Sequence, residues 1–155
     1  MDIKKLSSYD CDTFRQELTQ YIYESNNHCE YINNYSLDEA DTKVSEMKEY
    51  IQNEKAIVYG AVENEKLMGF VWGYTYPFRE DTNRLYVSII HVSNACRSRG
   101  IGKQLLSALE TEAKKIGYSA IFLHTEAFNT GAIHFYEREG FLKERIQLAK
   151  IIDRE

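Results

Sequence analysis

A mixed α/β layer is the fold class this sequence predicts, and three observations carry it. The run 85–92 (Leu-Tyr-Val-Ser-Ile-Ile-His-Val) is almost wholly β-branched or aromatic, as a central strand covered on both faces requires. Directly after it, Ile101, Leu105, Leu109, Ala113 and Ile116 recur at helical spacing, with Lys103, Gln104, Ser107, Glu110, Lys114 and Lys115 on the opposite face. Strand and helix patterns alternate on both sides of that pair, the order of a layered sheet with helices.

Taken in order, residues 2–7 read as a short first strand. Asp10 or Asp12 is placed to cap a helix whose Phe14, Leu18, Tyr21 and Ile22 share one face. Residues 24–35, rich in asparagine, read as loop. Ser36 and Glu39 have capping-box spacing, and Leu37, Ala40, Val44, Met47 and Ile51 line a second helix. A hairpin follows, 56–62 and 67–76 around the polar turn 63–66, closed by Pro77. A charged loop, 78–83, leads into the central strand. After the amphipathic helix, Gly117 supplies a left-handed stop. Residues 119–125 read as a buried strand, 130–139 as a short helix ended by Gly140, and 141–152 as one or two final strands.

The chain's 155 residues predict one domain, 1–155, large enough to bury a core. Hydrophobic residues at 43% and charged ones at 28% exclude a disordered or fibrous class. No apolar run reaches membrane-helix length and no signal-peptide core follows Met1, so the expectation is a cytoplasmic protein with no membrane partner. Cys11, Cys29 and Cys96 form no C-x-x-C pair, which points to neither a disulfide framework nor a metal site. A net charge of −5 without a basic block argues against nucleic acid and mildly favours a cationic partner.

The run Arg97-Ser98-Arg99-Gly100-Ile101-Gly102 joins the central strand to its helix. A glycine-bearing turn that enters a helix leaves backbone N–H groups pointing outward at the positive end of the helix dipole, which suits a phosphate. A nucleotide P-loop fails, because Arg97 stands where its first glycine belongs and Gln104 where its magnesium-binding hydroxyl belongs. A dinucleotide fingerprint beginning at Gly100 requires a small residue where Leu105 stands.

Arg97-x-x-Gly100-x-Gly102 resembles the R/Q-x-x-G-x-G/A pyrophosphate loop of the GNAT superfamily of acyl-CoA-dependent N-acyltransferases. Further on, Asn129-x-x-Ala132-x-x-Phe135-Tyr136-Glu137-x-x-Gly140-Phe141 is similar to that family's N-x-x-A-x-x-F-Y-x-x-x-G-F segment. Two matches in order, one helix and one strand apart, are far more specific than either alone. Ser98 and Asn94 depart from the family's usual glycine and proline, and neither removes a backbone donor. The resemblance implies a central mixed sheet of six to seven strands flanked by about four helices, with two central strands that splay apart around the cofactor.

It also implies roles. Backbone N–H groups of Arg97, Ser98, Arg99, Gly100, Ile101 and Gly102 would hold the pyrophosphate of acetyl-CoA, with Arg97, Arg99 and Lys103 adding charge. Backbone at Ile90, His91 and Val92 would pair with the pantetheine arm and offer an oxyanion donor, and Asn129 would steady the cofactor. Acyl transfer from a thioester to an amine needs a neutral amine, donors for the carbonyl oxygen and a proton for the departing thiolate. Tyr136 occupies the family's position for that proton; without the motif it would read as packing beside Phe135. Many relatives carry a carboxylate on the central strand as base, whereas Tyr86, Ser88, Ile89 and Ile90 are not acidic. His91, His124 and Glu126 are the nearest titratable groups, with Glu126 and His91 the base candidates, and a water relay is the alternative. No metal is called for.

The acceptor side is expected among Phe70, Trp72, Tyr74 and Tyr76, which alternate along one strand. Phe70 and Trp72 suit the core. Tyr74, Tyr76, Phe78 and the tyrosines of 31–35 suit an amine pocket, with Glu30 or Asp38 selecting charge. The expected acceptor is a primary amine on a small molecule such as a polyamine, amino acid or aminosugar. A protein N-terminus or lysine is the second reading and a non-catalytic acyl-CoA-binding module the third. The residues leave the oligomeric state open between monomer and homodimer.

Overall fold

Strand β1 (Asp2–Lys5) opens the chain and is followed by helices α1 (Ser8–Thr13), α2 (Arg15–Asn26) and α3 (Leu37–Gln52). Strands β2 (Ala56–Glu63), β3 (Lys66–Thr75) and β4 (Arg84–Val92) come next. A 3-10 turn (Asn94–Cys96) leads to α4 (Ile101–Ile116), then β5 (Ala120–Phe122) and α5 (Thr130–Arg138). This computed structural model describes residues 1–26, 35–75 and 83–152. Cys29, Glu30, Tyr31, Tyr76, Pro77 and Phe78, assigned above to loop and pocket, lie outside the described residues. The chain forms two compact units, 1–124 and 125–155.

In the first unit the five strands form one sheet in the order β1-β2-β3-β4-β5, antiparallel except for the parallel pair β4 and β5. Its two faces are covered differently. Leu18 and Ile22 of α2, and Ala40, Val44 and Met47 of α3, pack with Val58, Leu67, Phe70 and Trp72 on one face. Leu105, Leu109 and Ala113 of α4 pack with Ile57, Val71, Leu85 and Val87 on the other. The alternation read along β3 therefore holds: Phe70 and Trp72 go to one core, Val71 to the other.

Local signals place the elements. Asn64 and Glu65 both have positive φ, so β2 and β3 are joined by a tight two-residue turn inside the predicted polar stretch. Ser36 accepts from the Glu39 N–H at 3.1 Å, as expected of an N-cap. At the first helix the cap is Ser7, in a capping box with Asp10, rather than Asp10 or Asp12. The helix breaks at Phe14 and resumes as α2, which runs on to Asn26 through residues expected to be loop.

The predicted count of six to seven strands is corrected to five among the described residues. Residues 141–152 join no ladder, and Leu142, Ile146, Leu148 and Ile152 are 81–90% exposed. Apolar alternation alone does not make a strand; a neighbour must complete the backbone hydrogen bonds. Among the described residues there are five α-helices rather than about four, because the first predicted helix is divided in two.

Asp10 supplies a stability test. Burial of its carboxyl opposes ionisation, but Lys4 at 2.8 Å and the Ser7 N–H and hydroxyl outweigh it and hold the group below the usual carboxylate range. A depressed folded-state pKa contributes stability above the unfolded value of about 3.9, lost as pH falls through the folded value. Asp10→Asn should therefore cost about 1 kcal/mol at pH 7. The difference should vanish toward pH 2 in urea titrations at both pH values; an equal deficit at both would remove the charge from the cap.

Candidate active site

The turn between β4 and α4 is pinned at both ends and open in the middle. Cys96 and Ile101 are buried, whereas Arg97, Ser98, Arg99 and Gly100 are exposed. Ser98 (φ 66°) and Gly100 (φ 74°) are both left-handed. Gly100 is the N-cap of α4 and has no side chain to turn back on the helix, so no capping bond forms there. The first helical bond runs from the Gln104 N–H to the Gly100 carbonyl at 3.1 Å. The N–H groups of Ile101, Gly102 and Lys103 thus head a 16-residue helix without an intrahelical acceptor. A Cβ built on Gly100 meets nothing within 4 Å beyond its own stretch of chain, so the position is open.

The side chains of the turn are divided in their tasks. Arg99 is turned to Glu63 at the end of β2, its two terminal nitrogens 3.2 and 3.3 Å from the carboxylate oxygens. That bond holds Glu63 below the usual carboxylate range and raises Arg99. Arg97 lies across the end of β4, its Nε donating to the Val92 carbonyl at 3.4 Å, and Lys103 is exposed on the first turn of α4.

Beside the turn, β4 is only partly paired. β5 pairs with Arg84, Leu85 and Tyr86 alone, so no described strand flanks Val87 to Val92 on that side. β5 is confined to Ala120–Phe122, shorter than the predicted strand 119–125, and Ile90, His91 and Val92 lie in the part of β4 beyond it. On the β3 side Trp72 faces Ile89 and Gly73 faces Val87, which leaves Ser88 as an extra residue, a β-bulge. The bulge reverses the alternation. Leu85 and Val87 point to the α4 core, but after Ser88 that core receives Ile90 and Val92, while Ile89 joins the core under α2 and α3.

His91, on the same face as Ile89, is 7% exposed. Its Nε2 lies 3.0 Å from Glu24 Oε2 of α2, and its ring is tilted on Tyr21 with centroids 5.3 Å apart. Tyr21 donates its hydroxyl hydrogen to the Leu67 carbonyl at 2.6 Å. Sequence reasoning missed Glu24, 67 residues from its partner and in a stretch read as loop. His124 is exposed beyond the end of β5, its ring 5.4 Å from that of Tyr86 and 6.1 Å from that of Phe122. Tyr74 meets Tyr50 and Tyr86 edge-on, with centroids 5.2 and 5.4 Å away, and the Tyr86 ring lies 5.2 Å from that of Phe122, so aromatic rings adjoin from β3 to β4 and β5. Arg84 stacks over Phe122 at 4.7 Å. Asp38 is exposed in the first turn of α3.

In the second unit Asn129 is the N-cap of α5, its Oδ1 accepting from the Ala132 N–H at 3.2 Å. Tyr136 sits between the rings of Phe135 and Phe141, with centroids 5.2 and 5.6 Å away. Burial pushes its phenol up to about 12, so the hydroxyl keeps its proton throughout the neutral range. Glu126 is partly exposed in the turn before the helix, its carbonyl accepting from the Asn129 N–H. Among the described residues no group of His, Cys, Asp or Glu is arranged to hold a metal ion. Nor is any helix among them long and apolar enough to cross a membrane.

A helix-entry turn whose first N–H groups lack an intrahelical acceptor thus lies beside a parallel strand pair that is joined at one end only. Residues 15–141 match the model of the Acetyltransferase (GNAT) family, and the chain belongs to that family. Among curated relatives, mycothiol acetyltransferase of Gordonia bronchialis is 34% identical over 93 residues, 60% of this chain and 29% of that protein. The probable N-acetyltransferase camello of Xenopus tropicalis is 29% identical over 65% of this chain and 45% of its own length. The chain thus spans less than a third of the mycothiol enzyme and under half of the amphibian protein. Among solved structures, a Bacillus halodurans protein superposes with a TM-score of 0.77 at 22% identity, covering 98% of this chain and 99% of that one. An aminoglycoside acetyltransferase from an uncultured soil metagenomic sample gives 0.72 at 20% identity, over 98% of both chains. An aminoglycoside N-acetyltransferase in complex with CoA gives 0.74 at 18%, over 97% of this chain and 93% of that one. These likenesses show the shared fold.

Proposed function

We propose that the chain is a single catalytic domain that moves an acetyl group from acetyl-CoA to a primary amine of a small molecule. The observation that carries this reading is the Arg97–Gly102 turn, with its outward N–H groups at the head of α4, beside the unpaired stretch of β4. The N–H groups of Ile101, Gly102 and Lys103 receive the pyrophosphate and the α4 dipole favours its charge. Arg97, one residue from the left-handed Ser98, adds a cation. Ile90 to Val92 offer backbone to the pantetheine arm, and a strand N–H there faces the thioester carbonyl as it gains charge.

Tyr136 supports the departing sulfur through its hydroxyl. A phenol near 12 transferring to a free thiolate of pKa about 8.5 would go uphill, so the hydroxyl acts by donating a hydrogen bond as charge builds on sulfur while the C–S bond breaks. Asn129 orders the start of α5, the helix that carries Tyr136. The acceptor lies against the aromatic wall of Tyr74, Tyr86 and Phe122, whose ring faces suit an amine's apolar stem. Polyamines, amino acids and aminosugars are the classes to try first. The acetyltransferase names among its relatives support the reaction class.

Two measurements test the reading. Acetyl-CoA should bind without magnesium, and ATP and NAD should not compete, because Gln104 stands where a P-loop lends a hydroxyl to the metal. Magnesium-dependent ATP binding would sink the assignment. A panel of primary amines with acetyl-CoA, read as release of free thiol, should reveal at least one acceptor. Tight CoA binding with no thiol release from any amine or peptide would leave a binding module instead.

A further inference from the structure

Between buried Cys96 and buried Ile101 the chain runs exposed through Arg97, Ser98, Arg99 and Gly100. Ser98 at φ 66° and Gly100 at φ 74° set Arg99 between two left-handed residues, and a left-handed serine persists only where its surroundings over-determine it. Packing at Gly100 contributes little, since a Cβ there meets nothing within 4 Å beyond its own stretch of chain. Arg97 bonds back five residues, to the Val92 carbonyl. Arg99 reaches 36 residues, to Glu63, with a two-pronged fork: Nη1 donates to Oε2 at 3.3 Å and Nη2 to Oε1 at 3.2 Å. Glu63 is itself anchored as the last residue of β2, paired with Lys66 across the tight turn of Asn64 and Glu65. The ion pair is partly sheltered, its Arg99 and Glu63 side chains 45% and 30% exposed.

We infer that Glu63 is a positioning residue for the cofactor: by holding Arg99 it sets the 97–100 backbone, and with it the donors at the head of α4, in the shape that receives the pyrophosphate. This rests on the acetyl-transfer reading above. Arg99 then acts on the phosphate through the backbone that it fixes. Two effects of Glu63 oppose each other. As an anion near an anion site it weakens binding by Coulomb repulsion, whereas its hold on Arg99 strengthens binding by preorganisation. A unit charge about 10 Å from the phosphate, in water and screened by salt, changes affinity by less than about twofold. A forked, partly sheltered ion pair is worth up to about fivefold. Positioning therefore wins, and removing this carboxylate from beside the phosphate site weakens binding instead of tightening it.

The test compares wild-type protein, Glu63→Gln, Arg99→Lys and the double variant, by calorimetric titration with CoA and by kcat and KM with acetyl-CoA and a cognate amine. Arg99→Lys keeps the charge and loses the fork, so it separates position from Coulomb attraction. Each single change should raise the CoA Kd and the KM for acetyl-CoA about three- to fivefold. The kcat and the amine KM should stay unchanged, with thermal melts showing all four proteins folded. The double variant should lose about the same factor as either single one, because both changes break one bond. Tighter or unchanged CoA binding by Glu63→Gln would show that its charge outweighs its hold on Arg99 and overturn the inference. Wild-type affinity in Arg99→Lys would make Arg99 a plain phosphate charge and overturn it as well, as would losses that multiply in the double variant. If wild-type protein binds no CoA, the acetyl-transfer reading itself fails and takes this inference with it.

Discussion

Tyr136→Phe is expected to lower kcat by roughly 10²-fold, the low end of what a positioned general acid contributes, with CoA affinity and fold intact. One oxygen is lost from a ring that still packs between Phe135 and Phe141. Two considerations set the size at the low end. The thiol is a moderate leaving group, with a pKa of about 8.5. The phenol, pushed up to about 12, is better suited to hydrogen-bond donation than to complete transfer. Because the bond is made mainly in the transition state, kcat and kcat/KM should fall together. Unchanged kcat with a raised KM would make Tyr136 a packing or binding residue.

Gly100→Val should cost CoA affinity by about 10²- to 10⁴-fold, the loss of two or so charge-assisted hydrogen bonds at about 1.5–3 kcal/mol each. At φ 74° a β-branched residue is strained, by about 1–2 kcal/mol, and its side chain would occupy the space before the α4 N–H groups. The two effects are separable. Gly100→Asn tolerates the left-handed conformation yet still fills that space, so it should lose CoA binding with a smaller loss of melting temperature. Calorimetric titration with CoA and thermal melts on both variants decide the matter. Wild-type affinity in a folded Gly100→Val protein would remove the turn from the cofactor site.

The candidate site divides into parts that were legible in the residues and parts that were not. The turn at 97–102 was legible because its pattern is local. Gly100 and Gly102 at a helix entry, with Arg97 three residues before Gly100, define a turn and its donors within six positions, and in the structure Gly100 is left-handed with no side-chain cap. Asn129 was read as a cofactor contact, and its side chain is an N-cap; the S/T/D/N signal for a cap was present but went unused. Arg99 was counted as phosphate charge, and its bond to Glu63 on β2 went unseen. No spacing rule reaches 36 residues.

What the sequence by itself determined is the order of elements, the two-core alternation of β3, the turn at 97–102 and the family. Each rests on periodicity, on left-handed backbone or on short spacings, which act over a few residues. What only the tertiary structure decided is the phase of β4, the Glu24–His91 pair and the fate of the tail. The strand 84–92 alternates in the sequence as if unbroken, and only its pairing with β3 shows that Ser88 is an extra residue and that His91 faces α2. Residues 141–152 alternate like a strand and form none among the described residues. Strand register, ion pairs and sheet membership depend on a partner brought from elsewhere in the chain, and a partner's position is a property of the folded molecule.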